Sequence, residues 1–312
     1  MSIDKILTLG QTAAELGLIG GLTVLALFLS YSMLNVCDLS TDGCFTLGAA
    51  VGTVTAIAGY PWLSLPAAML AGSLSGFITA ALQTRMGVQS LLAGIVVNTG
   101  LYSVNMMISG NKAALNMSKT RTVFSMAKDL LKGTPFAGQY ILIVALIAVA
   151  VVAAMLCLFL RTKLGLSIRA TGSNADMVRS SSINPTFTTT VGLCVSGSIT
   201  ALSGCLMAQQ QKNFDINMGQ GIVTVALASL LIGGVFFSRY KPIPLRAVGA
   251  VLGAIVFRIV YALALRLDMP AFMLKLVSAV IVVLAISGPY LREQIPMMRR
   301  RWKNAREGRS AG

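Results

Sequence analysis

Histidine is absent from all 312 residues, which removes imidazole from both acid–base chemistry and metal ligation. Acids are scarce too, with ten Asp and Glu against 25 Lys and Arg. The chain shows no clustered His, Cys or carboxylate constellation of the kind an integral-membrane enzyme would need. The five cysteines, Cys37, Cys44, Cys157, Cys194 and Cys205, show no C-x-x-C spacing. They read as small lipid- or core-facing residues rather than as a disulfide or metal framework. There is no G-x-x-x-x-G-K-[ST] phosphate loop, so any ATP chemistry must come from another polypeptide. The opening run MSIDKILTLGQTAAELG lacks the basic stretch and A-x-A site of a cleaved signal peptide, so the first apolar segment is expected to stay as an anchor.

What is there is hydrophobic. Apolar residues make up 55% of the chain and charged residues only 11%, where a globular domain carries about 25% charged. The stretch Tyr140 to Leu160 holds no charged residue, and a helix of about 20 apolar residues crosses the hydrocarbon core. Nine such stretches are expected, at 13–34, 45–59, 63–83, 88–108, 139–160, 187–208, 221–237, 246–265 and 271–290. The predicted fold is all-α, a polytopic transmembrane helix bundle in a single domain, 1–312. An odd linking span, 139–160, between halves 13–108 and 187–290 turns the second half upside down, and inverted repeats of this kind mark transporters.

The net charge of +15 does not point to nucleic acid, because the basic residues sit in loops and in the tail 291–312. Their distribution predicts orientation instead. Fifteen Lys and Arg fall in the loops that lie on the side of the C-terminus, against eight on the other side. The C-terminus is therefore expected in the cytoplasm and the N-terminus outside. The loop 109–138, with five basic residues, is the one count against it.

The repeat is faint. Asp42-Gly43 precedes a short span and Gly72-x-x-x-Gly76 opens the next; Gly219-Gln220-Gly221 precedes another short span and Gly249-x-x-x-Gly253 leads into the one after. Short spans at matching positions point to a substrate path, here Asp42, Gly43, Gly48 and Gly221. The Gly-x-x-x-Gly faces, including Gly17-x-x-x-Gly21 and Gly48-x-x-x-Gly52, predict close helix packing. Arg258 lies deep in its span, where a lone charge costs about 3 kcal/mol or more. It reads either as half of an ion pair, with Glu15, Asp38 or Asp42 as the partner, or as part of the substrate path. Lys275, nearer an end, is expected to snorkel.

Two polar segments are organised. In 161–186, Asn174 is placed to cap a short helix to Ser182, Asp176 suits its positive end, Arg179 follows one turn later, and Pro185 stops the segment. In 123–131, Val123, Phe124, Ala127, Leu130 and Leu131 share one face of a surface helix, which lies on the membrane or serves as a docking platform. Lys119, Arg121, Lys128 and Lys132 are then available to acidic groups of a partner.

The run T-K-L-G-L-S-I-R-A-T-G-S-N-A-D-M-V-R-S-S-S-I-N (162–184) resembles the cytoplasmic coupling segment of ABC-transporter permeases of the branched-chain amino-acid and ribose class. The stretch CDLSTDGCFTLGAA (37–50) is similar to the element following their first core span. ELGL (15–18), DLSTDG (38–43), IVFRIVYALALRL and FMLKLVSAVIVVLA look closest to a branch assigned to tryptophan, tyrosine or related small organic substrates. Ser182 stands where this class usually has glycine, and Cys37 and Cys44 also depart from it.

The resemblance implies an inverted-repeat permease of the type II ABC importer kind in the bacterial inner membrane, surrounded by lipid. It also implies a permease dimer on two cytoplasmic ATPase subunits holding ATP and Mg, with an extracytoplasmic substrate-binding protein. A homodimer is expected, since one inverted-repeat chain supplies half a path at a two-fold axis, with a heterodimer of related permeases as the alternative. The permease itself would be neither an enzyme nor a cofactor carrier. ATPase coupling would fall to Arg169, Gly172, Asn174, Asp176, Met177 and Arg179. The rival reading, an ion-coupled secondary transporter, requires membrane-embedded acids or histidines, which are almost lacking.

Overall fold

In hydrocarbon every backbone amide must be satisfied within the chain, so long apolar runs fold as helices. The computed structural model describes residues 3–132, 138–236 and 242–265, with isolated positions between 276 and 287. The described helices are α1 (Ile3–Leu27), continued by a π-helical turn (Phe28–Met33), α2 (Thr41–Ile57), α3 (Pro61–Thr84), α4 (Ser90–Ile108), α5 (Val123–Leu130), α6 (Tyr140–Arg161), α7 (Lys163–Ser173), α8 (Ala175–Ser180), α9 (Pro185–Gln211), α10 (Ile222–Phe236) and α11 (Ile243–Leu265). The class is all-α. A two-stranded antiparallel ladder, β1 (Ala114–Asn116) on β2 (Asn213–Asp215), is the minor exception.

Among the described residues, six helices are long and apolar enough to cross a membrane, at Gly10–Met33, Pro61–Thr84, Ser90–Ile108, Tyr140–Arg161, Pro185–Gln211 and Ile243–Ala264. The expected count of nine spans is not confirmed. The segment assigned to 45–59 is α2, only 17 residues, and that at 221–237 is α10, only 15. At about 1.5 Å per residue both fall short of the ~30 Å core. Most of the ninth, 271–290, including Lys275, lies outside the described residues.

α1 and α9 form the middle of the bundle. Of their apolar windows 78% is buried, against 22% for α6. The rim shows the opposite pattern, with Leu70, Leu74, Met107, Met155, Leu158 and Leu263 all exposed. An apolar rim of this size suits lipid, not water.

Packing is set by backbone contact at small residues. A Cβ on Gly72 would lie 2.3 Å from the Gly197 carbonyl oxygen, and one on Gly76 equally close to that of Leu193, so α3 lies against α9. On the other side, a Cβ on Gly17 would meet Ile255 Cα at 3.0 Å, so α11 lies against α1. Each half thus lends its third helix to the first helix of the other half. Gly249 and Gly253 face Gly233 and Ser229, which closes α10 on α11. The Gly-x-x-x-Gly faces behave as their spacing predicts.

The described loops sort to two ends. At one end are α7, α8 and the α3–α4 turn. At the other are the ladder and α5. Ser196 donates to the Ala26 carbonyl and Ser203 to that of Ile19, so α1 runs antiparallel to α9 and begins at the ladder end.

Candidate functional site

The polar residues of the bundle converge where α2 and α10 both begin inside it. Asp42 and Gly43 stand in the first turn of α2 rather than ahead of it. Residues 212–221 turn back from the ladder, and the Asp42 carboxylate accepts the Gly221 N–H at 2.9 Å and the Val223 N–H at 2.8 Å. It thereby caps α10, satisfying amides that have no partner within their own helix and opposing the positive helix end. Two glycines make the approach possible. Gly221 has φ +82, and a Cβ on Gly219 would fall 2.2 Å from the Asp42 carbonyl oxygen. Gly43 admits Asn98, whose Oδ1 would lie 2.7 Å from a Cβ there, and its carbonyl accepts from Asn105 at 3.2 Å. Gly48 sits deeper, against the Ala201 carbonyl of α9.

Arg258 on α11 borders the same region. A Cβ on Gly20 would lie 3.9 Å from its Nη2. None of the expected partners takes it. Glu15 accepts a hydrogen bond from Gln11 at 3.1 Å, Asp38 accepts from the Ser40 N–H and hydroxyl at 2.8 and 2.6 Å, and Asp42 is occupied by α10. Beside Arg258 is a cavity of about 550 Å³ bordered by α9, α10, α11 and the turn before α10. The structure therefore brings Gly221 and Arg258 to one cavity and holds Asp42 on Gly221, while Gly43 and Gly48 are packing contacts with α4 and α9.

The second polar assembly closes the opposite end. Thr162 caps α7, its hydroxyl accepting the Gly165 N–H at 3.2 Å. The sequence reading passed over this helix, although Thr162 three residues ahead of Gly165 is a cap signal. Asn174 caps α8 as expected, accepting from Asp176 N–H and Met177 N–H, both at 3.0 Å. The helix stops at Ser180 rather than Ser182, because Ser182 takes φ +60 and turns the chain. Pro185 does not end this segment; it opens α9 in its first turn, where a missing N–H is harmless. Arg169, Asp176, Met177 and Arg179 are exposed, while Val178 is buried. Arg179 and Asp176 approach to 3.8 Å in the open, a contact worth little by itself. Gly172 is a contact with α1: a Cβ there would meet the Met33 carbonyl oxygen at 2.1 Å.

At the ladder end, α5 forms where expected, with a Thr122–Ser125 capping box that propensity alone does not mark. Val123 and Phe124 are buried, but Leu130 is 78% exposed and does not share their environment. Lys119, Arg121, Lys128 and Lys132 are all exposed. Lys132 pairs with Asp129 and holds its carboxyl below the usual carboxylate range. Lys128 lies 5.8 Å from the Tyr140 ring centroid.

A family profile described as "Branched-chain amino acid transport system / permease component" matches residues 12–286. The chain belongs to this permease family. Among curated relatives, a tyrosine transport system permease protein of Clostridioides difficile is 30% identical over 85% of this chain and 86% of its own. The ribose import permease of Haemophilus influenzae is 24% identical over 91% and 84%, and the fructose import permease of Bifidobacterium longum 25% over 84% and 75%. No solved structure gives a significant match. The permease is thus a multi-pass membrane protein, the permease component of an ABC-type transport system for small substrates. These relatives are transport components, not enzymes.

Proposed function

We propose that this permease is the membrane-spanning subunit of an ATP-driven importer for a small organic solute, an amino acid in particular. It works as a homodimer with separate ATPase subunits, which carry ATP and Mg, and with an extracytoplasmic binding protein. It sits in the bacterial inner membrane with the N-terminus outside and the C-terminus in the cytoplasm. One chain then supplies half of a path at a two-fold axis, and the exchange of α3 and α11 between the halves supports the inverted-repeat reading.

The observation that carries the proposal is the α7–α8 assembly. The tip, Asn174 to Arg179, is exposed at every residue but Val178, capped by Asn174, and joined on one side to α9. On the other side α7 bears on the end of α1 through Gly172, at the π-helical turn. A push on α8 therefore reaches both inner helices. The chain has no phosphate loop of its own, so the push comes from a partner that has one. The loop basic residues that face this end agree with a cytoplasmic side. An ion-coupled mechanism finds less support, since Asp38 and Asp42 already accept hydrogen bonds from backbone amides and Glu15 accepts one from Gln11.

The test is binding-protein-stimulated ATP hydrolysis in nanodiscs with the partner ATPase. Arg179→Glu should lower stimulation about tenfold if Arg179 is an interface hot spot. Val178→Pro should abolish it, because it removes the Val178 N–H that reaches the Asn174 carbonyl. Full stimulation in both variants would remove α8 as the coupling element.

A further inference from the structure

Arg258 is charged, half-buried and on the inner face of its helix. Along α11 the exposed apolar residues Val248, Leu252, Ile259 and Leu263 mark the outward side. Arg258 continues the opposite side, where Val251 and Ala254 pack on α1. Snorkelling along the lipid face is therefore not open to it. Among the described residues it makes no ion pair and no hydrogen bond. Of the acids on neighbouring elements, Glu15 on α1 accepts from Gln11, and Asp42 divides its two oxygens between the Gly221 and Val223 amides. What the guanidinium does border is space: the cavity of about 550 Å³, and a second of about 20 Å³ that it shares with Thr23 and Ser229. Thr23 Oγ1 is itself buried without a partner. The smaller space is the size of one water; the larger falls within the range for small-molecule sites.

The walls of the larger cavity are of two kinds. Gln220, Thr224 and Tyr261 supply polar atoms, and Phe45, Met207 and Phe257 an apolar side. Among its described lining residues there is no carboxylate. A planar guanidinium with open donor positions matches a carboxylate with two parallel hydrogen bonds. A neutral polyol entering the same space would leave that charge uncompensated. We propose that this cavity binds the carboxylate of a solute with an apolar body, with Arg258 holding the carboxylate and the apolar wall holding the rest. This rests on the permease reading and narrows it. The solute is an organic acid or amino acid, not a neutral sugar, although relatives named for ribose and fructose share the family.

The experiment needs neither ATPase nor ATP, so its failure is separate from failure of the importer reading. In a background lacking the native cysteines, Thr224→Cys is placed on the cavity wall and Ser118→Cys on the exposed loop as reference. Each is modified with an anionic sulfonate and a cationic trimethylammonium methanethiosulfonate in nanodiscs. Normalised to Ser118→Cys, the anionic reagent should be favoured at Thr224→Cys by about tenfold or more, as expected where one sign of charge lines a cleft. Arg258→Gln should erase the preference and Arg258→Lys should keep most of it. 4-Hydroxyphenylacetate should slow the labelling, and ribose should not. Labelling indifferent to reagent charge with Arg258 in place overturns the proposal, and that comparison stands even if Arg258→Gln fails to fold. So does a preference that survives Arg258→Gln in folded protein, or slowing by ribose equal to that by the carboxylate, or slowing by neither.

Discussion

Asp42 and Val223 lie 181 positions apart in the chain, yet the Asp42 carboxylate accepts the Val223 N–H at 2.8 Å. This contact ties the start of α2 to the start of α10, two helices too short to cross the membrane alone. Asp42→Ala leaves two amides in the bundle without an acceptor and should cost about 2–3 kcal/mol. Asp42→Asn keeps one acceptor oxygen and should cost less, about 1 kcal/mol. Denaturation midpoints in detergent would check the order. An Ala variant as stable as wild type would mean that water or another group caps α10 equally well.

The α3–α9 seam has no room for a side chain. Gly72→Leu should prevent the bundle from closing, because even its Cβ would sit 2.3 Å from the Gly197 carbonyl oxygen. Gly100, within α4, meets nothing within 4 Å. Gly100→Ala should be neutral or gain up to about 1 kcal/mol from helix propensity. Size-exclusion profiles of the two variants should differ accordingly, and a monodisperse Gly72→Leu protein would contradict the seam.

Ser182 carries a left-handed backbone, φ +60, at the exit from α8. Ser182→Gly should raise stability by about 1 kcal/mol, since glycine lacks the Cβ that makes this region unfavourable. Ser182→Ala should not, because it keeps the Cβ. A rise in both variants would assign the effect to loss of the hydroxyl rather than to backbone strain.

Charge reversal on the ladder-end platform should weaken capture of the binding protein. Lys119→Glu with Arg121→Glu should slow association about tenfold at low salt, with the effect shrinking as salt rises. Lys132→Glu should do less, since Lys132 already pairs with Asp129. Surface plasmon resonance across a salt series would separate them. Equal, salt-independent effects would mean that α5 is only a membrane-surface helix.

Sidedness has its own test. In the cysteine-free background, a cysteine at position 120 should label from outside and one at position 305 only from inside. Labelling of both from one side would overturn the orientation drawn from the Lys and Arg distribution.

Much of the bundle was legible in the chain because it is local. Tyr140 to Leu160 had one outcome in hydrocarbon, and α6 is that helix. Asn174 announced α8 because a cap needs only amides two and three residues on. The glycine spacings announced close faces without naming the facing helix. Pro185 was read as a stop and proved to be a start, since a proline suits either side of a boundary.

What the sequence by itself determined is that long apolar runs such as Tyr140 to Leu160 fold as helices, that Asn174 caps α8 and which faces are small, since these follow from solvation and from hydrogen bonds a few residues long. Only the tertiary structure decided that Asp42 belongs to α10, that Glu15 and Asp38 are spoken for, and that Arg258 faces a cavity instead of an acid. The sequence offered three carboxylates for one guanidinium, and nothing in their spacing ranked them. The choice was made by backbone packing at Gly17, Gly219 and Gly221, which puts the amides of α10 within 3 Å of Asp42 and leaves Arg258 beside open space.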